Sequence, residues 1–137
     1  MREHEKTDWM GKLVGIPGWH NIYHLAVVVI YKEPYEIVRE CLFSLQRSDY
    51  PKDKVMVVLA CEQRAGERAK ETASLLEKEF KDSFFRFLVT WHPANLPEEI
   101  AGKGSNEAWA TKEAKEKLID PLAIPYSYII LTSLDAD

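Results

Sequence analysis

The sequence predicts an α/β fold of the doubly wound, Rossmann-like class with a mainly parallel sheet. Four short apolar runs, at residues 25–30, 55–60, 84–90 and 128–134, have the length and composition of strands in such a sheet. Stretches in which apolar residues recur at helical spacing separate these runs. This alternation of strands and helices favours parallel pairing, right-handed crossovers and helices on both faces of the sheet.

The first half of the chain predicts two strands and two helices. Leu25 to Ile30 is continuously apolar, which is typical of a central strand buried on both faces. Pro34 suits the first turn of a helix, whose apolar spacing continues until a turn that begins at Ser48. A second buried strand at 55–60 is followed, after Gly66, by an amphipathic helix.

The second half of the chain repeats the pattern with a longer loop. Phe84 to Thr90 is predicted as the third strand, and a loop rich in Pro and Gly runs from His92 to Gly104. We expect Ser105 to be the N-cap of the next helix. The apolar residues 128–134 predict a fourth buried strand that ends directly before an acidic motif.

Size, composition and charge limit the classes of function. A chain of 137 residues with 46% hydrophobic residues fits one domain, expected at 25–137 behind an N-terminal extension at 1–24. The net charge of −4 provides no basic field, so we expect no nucleic-acid partner. Cys41 and Cys61 lie in apolar stretches without metal-ligand spacing, which favours buried thiols and a cytoplasmic location. No apolar run approaches the ~20 residues that a membrane-spanning helix needs.

Polar residues follow each predicted strand, where doubly wound sheets bind their ligands. These residues are Tyr31 to Glu33, Cys61 to Arg64, His92, and Asp135-Ala136-Asp137. Side chains two residues apart on an extended segment point the same way, so Asp135 and Asp137 bring two carboxylates to one side. Mg²⁺ is commonly held by one or two carboxylates plus substrate phosphates. We therefore predict that this pair binds Mn²⁺ or Mg²⁺, the alternative being an acidic stretch without a ligand.

Two further groups of residues are candidates for binding. The segment Gly102 to Asn106 combines backbone N–H groups, a helix N-terminus and Lys103, which together suit a phosphate. The same segment also fits a tight turn whose serine merely caps the helix. Glu62 and Arg64 suit contact with a nucleotide base or ribose, or alternatively an exposed ion pair in a loop. His92 is interpreted as a loop residue and is assigned no chemistry.

From Leu25 onward the sequence resembles family 2 glycosyltransferases. The matches follow the predicted strands in the family's order. They are Tyr31, Glu33 and Pro34 for the Pro-Thr-Tyr-Asn-Glu-Pro motif, Tyr50-Pro51 for the turn before the second strand, Gly102 to Asn106 for the lysine-rich loop ending in Asn, and Leu134 to Asp137 for Leu-Asp-Ala-Asp.

The sequence departs from the family pattern at two places. Val29 and Lys32 stand where the family usually has Pro and Asn. Leu59-Ala60 replaces an Asp pair that often contacts the nucleotide, and Glu62 is the nearest substitute for that pair.

The resemblance implies a GT-A fold and transfer of a sugar from a nucleotide-diphosphate sugar to an unknown acceptor hydroxyl. It implies that a metal ion compensates charge on the departing diphosphate. The donor would contact Tyr31, Glu33, Glu62, Lys103, Asn106 and Asp135. The family's acceptor-binding region and catalytic base follow the Asp-x-Asp motif. We therefore expect this chain to be the donor-binding half, inactive by itself, of a longer enzyme for which membrane association is left open.

Two other classes of protein fit parts of the pattern. A non-catalytic nucleotide-binding module would have the same site without sugar transfer. A dinucleotide-binding domain would need a Gly-x-Gly-x-x-Gly motif after the first strand, and residues 31–35 contain no glycine.

Overall fold

The structure, a computed structural model, describes residues 18–94, 96 and 102–136. The N-terminal segment 1–17 and Asp137, one of the two predicted metal ligands, lie outside the described residues. The strands are β1 (Tyr23–Val29), β2 (Val55–Glu62), β3 (Arg86–His92) and β4 (Ile129–Asp135). The helices are α1 (Tyr35–Gln46), α2 (Glu67–Phe80) and α3 (Lys103–Ala114), and a π-helical turn (Lys115–Ile119) extends α3.

The four strands form one parallel sheet in the order β3-β2-β1-β4. Every residue of β2 is buried, as are the last five residues of β1, because both strands are covered on both faces. This confirms the predicted doubly wound α/β class. The first and fourth strands are neighbours in this sheet.

Two apolar cores flank the sheet, one on each face. Alternate residues of β1 and β2 pack with α1 and α2 on one face, where Leu42 and Leu76 are fully buried. The intervening residues pack against α3, whose Ala110 and Ala114 lie against the sheet. The period of two along each strand thus divides the strand residues between the two layers of helices.

The start of α3 differs from the sequence prediction. The helix begins at Lys103, with Gly102 as the N-cap residue and no side-chain cap, so Ser105 lies inside the first turn. Gly102 has a φ of 153°, a conformation that residues with a Cβ rarely adopt. The glycine therefore sets the helix start earlier than a serine cap would.

The strand β4 also differs from the prediction, because it is not buried. Ile130 is 41% exposed and Leu131 is 50% exposed. Within the described part of the chain β4 pairs with β1 alone, which leaves it at the edge of the sheet. A continuous apolar run does not by itself distinguish an edge strand from a central one, which explains the error.

Two further features of the structure are the length of its helices and the burial of its two cysteines. The longest of the described helices, α2, has 14 residues, and no helix among those residues is long and apolar enough to cross a membrane. Burial, aided by the charge of Glu33, raises the pKa of the Cys61 thiol to about 12. Cys61 is therefore a neutral core thiol, whereas Cys41 is half-buried.

We expect Leu76→Ala to lower the free energy of unfolding by about 2–5 kcal/mol, since it leaves a cavity in the core beneath α2. Leu75→Ala is the matched control, because Leu75 is the preceding residue and is 54% exposed. It should change the free energy by about 0.5 kcal/mol or less. Urea denaturation measures both values, and equal losses would contradict the assignment of the core face.

A second prediction concerns His24, whose Nε2 lies 2.6 Å from Thr132 Oγ1 and links β1 to β4. Burial lowers the pKa of His24 below its ordinary value of 6.5, so the folded state binds the proton less readily than the unfolded state. The contribution of His24 to stability is therefore fully present above about pH 6.5 and decreases as the pH falls through that value.

We expect His24→Gln to reduce the loss of stability between about pH 7.5 and about pH 5.5, because the variant has no imidazole to protonate. His20→Gln, which replaces an exposed histidine, should keep the wild-type loss. Urea denaturation at the two pH values makes the comparison. The same pH dependence in both variants would show that His24 does not titrate as its burial implies.

Candidate functional site

The candidate site lies at the carboxyl end of the sheet, on the face that α3 covers. Val29 is the lateral partner of Ala60 on β2 and of Asp135 on β4, so the three residues form one row across the sheet. Val29 and Ala60 belong to the core under α3, which places the Asp135 side chain on the same face. Two residues further along these strands, and so on the same face, Glu62 pairs with His92. The register therefore brings residues from the ends of all four strands to one face.

Asp135 lies where the strand order reverses. The chain proceeds outward from β1 through β2 to β3 and then returns to place β4 on the other side of β1. Ligands of doubly wound sheets bind at such a switch point. The Asp135 carboxylate is 42% exposed, and its Oδ1 lies 2.6 Å from Nζ of Lys103 in the first turn of α3. The structure thus brings together the acidic motif and the loop lysine that the sequence predicted separately.

A buried amide fixes the first turn of α3 to the sheet. Asn106 is 0% exposed, and its Nδ2 donates a hydrogen bond of 2.8 Å to the carbonyl oxygen of Ala60. Lys103 lies one turn before Asn106 and is presented to the edge of the sheet. Among the described contacts neither Asn106 Oδ1 nor Trp109 Nε1 has a hydrogen-bond partner. Asn106 therefore positions the helix. A contact between Asn106 and the nucleotide-sugar donor remains a prediction.

An aromatic ring and a guanidinium group meet after β1 and β2. Arg64 Cζ lies 4.4 Å from the centroid of the Tyr31 ring, which is a cation–π contact. The Arg64 Nε donates to Glu62 Oε1 at 2.7 Å, and the hydrogen bond to Glu62 is the main cause of a raised Arg64 pKa. The Glu62 side chain is 4% exposed. The alternative prediction, that Glu62 and Arg64 form a solvent-exposed ion pair in a loop, is therefore wrong for Glu62. Glu62 is buried at the end of β2 and pairs with Arg64.

Glu33 stabilises the turn after β1. Its Oε1 accepts a hydrogen bond of 2.6 Å from the backbone N–H of Tyr31. The residue is half-buried and close to the end of the strand. One carboxylate oxygen of Glu33 thus holds the loop that carries Tyr31. A direct contact between Glu33 and the nucleotide-sugar donor stays a prediction.

His92 is the residue that sequence reasoning placed wrongly. It is the last residue of β3, is 4% exposed and contacts Trp109 edge to face, with ring centroids 5.8 Å apart. Its interpretation as a loop residue is therefore incorrect. The available signal was the alternation along β3, since His92 continues the series of Leu88 and Thr90 toward the α3 face.

The chemistry of the site fits a divalent cation only in part. Within residues 18–94, 96 and 102–136 no group of three His, Cys, Asp or Glu side chains could hold a metal. Asp135 is a hard oxygen ligand at the edge of the sheet, and the structure does not describe Asp137. One or two carboxylates completed by substrate phosphates are the common arrangement for Mg²⁺. The described residues therefore supply one carboxylate of such an arrangement, Asp135, and the metal site stays a prediction.

Comparison with known proteins identifies no family for the chain. No protein-family model matches it, and no curated protein matches it significantly. The resemblance to family 2 glycosyltransferases therefore stays a prediction from the sequence motifs.

We expect Asn106→Ala to lower the free energy of unfolding by about 1 kcal/mol, because it removes a buried hydrogen bond to the carbonyl of Ala60, which keeps only its bond from the N–H of Ile30. Gln46→Ala is the control, since it removes an exposed hydrogen bond of 3.1 Å to Ser83. Thermal or urea denaturation compares the two variants. An Asn106 variant as stable as the Gln46 variant would show that the amide does not anchor α3.

Proposed function

We propose that the chain binds a nucleotide-diphosphate sugar at this site and is the donor-binding part of a family 2-like glycosyltransferase. The observation that carries the proposal is the pairing of Lys103 with Asp135 at the switch point of the sheet. A lysine at a helix N-terminus suits a phosphate, and a carboxylate beside it suits the cation that accompanies a phosphate.

The diphosphate would lie between the first turn of α3 and Asp135. Backbone N–H groups in the first turn of a helix have no helical acceptors and favour anions. Lys103 adds a full positive charge, and its side chain is 52% exposed, so a ligand can reach it. When bound, Mn²⁺ or Mg²⁺ supplies positive charge that offsets the charge developing on the departing diphosphate. In this proposal Asp135, together with Asp137, holds that cation.

The nucleoside would lie beside Tyr31 and Arg64, toward β2. The half-buried aromatic ring and the planar guanidinium are suited to stacking with a base. Glu62 is 4% exposed and holds the Arg64 guanidinium through both carboxylate oxygens, so a ribose hydroxyl or base N–H would reach it only at the lone pairs that Arg64 leaves open. Glu62 lies on the same face as Ala60, two residues further along β2. This placement supports Glu62 as the substitute for the family's Asp pair, which is absent at Leu59 and Ala60.

We expect uridine or guanosine diphosphate to bind only with Mn²⁺ or Mg²⁺ present, and Asp135→Asn to weaken that binding at least about tenfold. The physical reason is that the neutral amide is a poorer metal ligand than the carboxylate. Titration calorimetry with and without a chelator measures both effects. Asp120→Asn is the matched control, since Asp120 is 43% exposed and also pairs with a lysine, at 3.0 Å.

Equal affinities for wild type and Asp135→Asn, or binding that survives the chelator, would refute the metal role of Asp135. Sugar transfer is tested separately, by release of the nucleoside diphosphate from a panel of donor sugars with simple acceptors. Tight metal-dependent binding without release under any of these conditions would favour a non-catalytic nucleotide-binding module.

A further inference from the structure

We propose that the outer edge of β3 and the groove beside α2 bind an extended peptide segment of a partner protein, which adds to the sheet antiparallel to β3. The segment carries an acidic side chain for Lys70, an apolar one for the groove and a basic one for Glu77. Val89 and Trp91 of the groove pack against the core that α1 and α2 cover, so this surface lies on the opposite face of the sheet from Asp135. The inference does not rest on the proposed function.

The strand β3 has an open side. Within the described part of the chain it pairs with β2 alone, so its other side has no neighbouring strand. The backbone N–H and C=O groups on such a side are a template for another chain, and many proteins protect them with a charged residue or a proline. Between Phe87 and Trp91 β3 contains neither. Addition of a strand to an open edge is a common mode of peptide recognition, in which main-chain hydrogen bonds provide affinity.

A groove of about 830 Å³ lies beside this edge. One wall is a stripe of α2 at helical spacing, and the rest comes from β3 and the end of β2; the lining residues are Lys70, Ala73, Ser74 and Glu77, Val89 and Trp91, and Gln63. The stripe is about 10 Å long, which about three residues of an extended chain span. Val89 and Trp91 are half-buried and two residues apart, so both point into the groove. They provide an apolar surface for a side chain of the added strand.

The two ends of the groove have opposite charges. Because α2 leads from the end of β2 to the start of β3, it runs antiparallel to the strands, so Lys70 lies toward the carboxyl end of β3 and Glu77 toward the amino end. Lys70 is 56% exposed and its pair with Glu67, at 3.2 Å, is an exposed contact within one helix, which is worth little. Antiparallel pairing is the more stable arrangement per residue. A segment that runs antiparallel to β3 matches both charges when its acidic residue precedes its basic residue.

The test uses two peptides with blocked ends, Thr-Glu-Thr-Val-Thr-Lys-Thr and its charge-reversed counterpart Thr-Lys-Thr-Val-Thr-Glu-Thr. In each peptide the charged residues and the valine share one face of an extended chain. Each is titrated into the full ¹⁵N-labelled chain, and NMR follows the backbone amides of β3. We expect the first peptide to shift these amides and to bind about three- to tenfold more tightly than the second, because two exposed ion pairs change from attraction to repulsion.

Variants at exposed positions of α2 distinguish the groove from a general effect of charge. Lys70→Glu combined with Glu77→Lys should reverse the preference between the two peptides. Lys78→Glu is the matched control, since Lys78 is an exposed lysine of the same helix outside the groove lining, and it should keep the wild-type preference. Ser74→Tyr places a ring in the groove from an exposed position and should weaken both peptides at least about tenfold, because the added strand loses its space. Circular dichroism confirms that the variants fold.

Three results would overturn the inference. One is that neither peptide shifts the amides of β3. Another is that the two peptides bind equally, or that the charge-swapped variant keeps the wild-type preference, since the groove would then not select by charge. The third is that the chain alone sediments as a dimer that Ser74→Tyr dissociates, because a second copy of the chain would then occupy the edge. Nucleotide binding is measured separately at the other face, so each of these results leaves the proposed function as it stands.

Discussion

The parallel pairing of β1 with β4 is the constraint on which the site depends. β1 is buried on both faces, and its register with β4 places Asp135 directly opposite Val29. Because successive side chains of a strand alternate between faces, a slip of one residue would turn Asp135 away from α3. The ion pair with Lys103 could not then form. The position of the acidic motif is therefore fixed by the hydrophobic pattern of two strands rather than by the charged residues themselves.

The position of Lys103 depends on a second buried contact, between Asn106 and β2. A fully buried amide that donates to a strand carbonyl ties the start of α3 to the end of β2. Gly102 allows the chain to enter the helix at a backbone conformation that is open to glycine. The Lys103 side chain, which is 52% exposed, thus extends from a turn that is hydrogen-bonded to the sheet.

The sequence was sufficient for the fold because the burial pattern of its central strands is unambiguous. Residues 25–30 and 55–60 are apolar without interruption, and the alternating helices leave few other arrangements. The edge position of β4 could not be predicted, since Ile130 and Leu131 are as apolar as buried residues. The burial of a strand depends on how many neighbouring strands pair with it. The composition of the strand does not indicate that number.

The sequence indicated at which edge of the sheet the candidate site lies, but it did not indicate the contacts between the residues of the site. Topology requires that residues after parallel strands collect at one edge, so Tyr31, Glu62 and Asp135 were found from their positions alone. The ion pair of Lys103 and the contact of His92 with Trp109 depend on how α3 lies against the sheet. Those contacts arise between residues far apart in the chain, and no local pattern encodes them.

In the proposed function, the charges of the described site are the reason that a diphosphate would need a metal ion. The cationic groups already have partners: Lys103 pairs with Asp135, and Arg64 pairs with Glu62 and contacts Tyr31. The described cations and carboxylates near the ends of β1, β2 and β4 are Lys32, Arg64 and Lys103 against Glu33, Glu62, Glu107 and Asp135. This set has no excess of positive charge, so an incoming diphosphate would add unbalanced negative charge in a partly desolvated place. In the proposed function, a divalent cation would supply the missing charge without disturbing the Glu62–Arg64 pair. The Lys103–Asp135 pair is the more solvated of the two, since its side chains are 52% and 42% exposed, against 40% and 4% for Arg64 and Glu62.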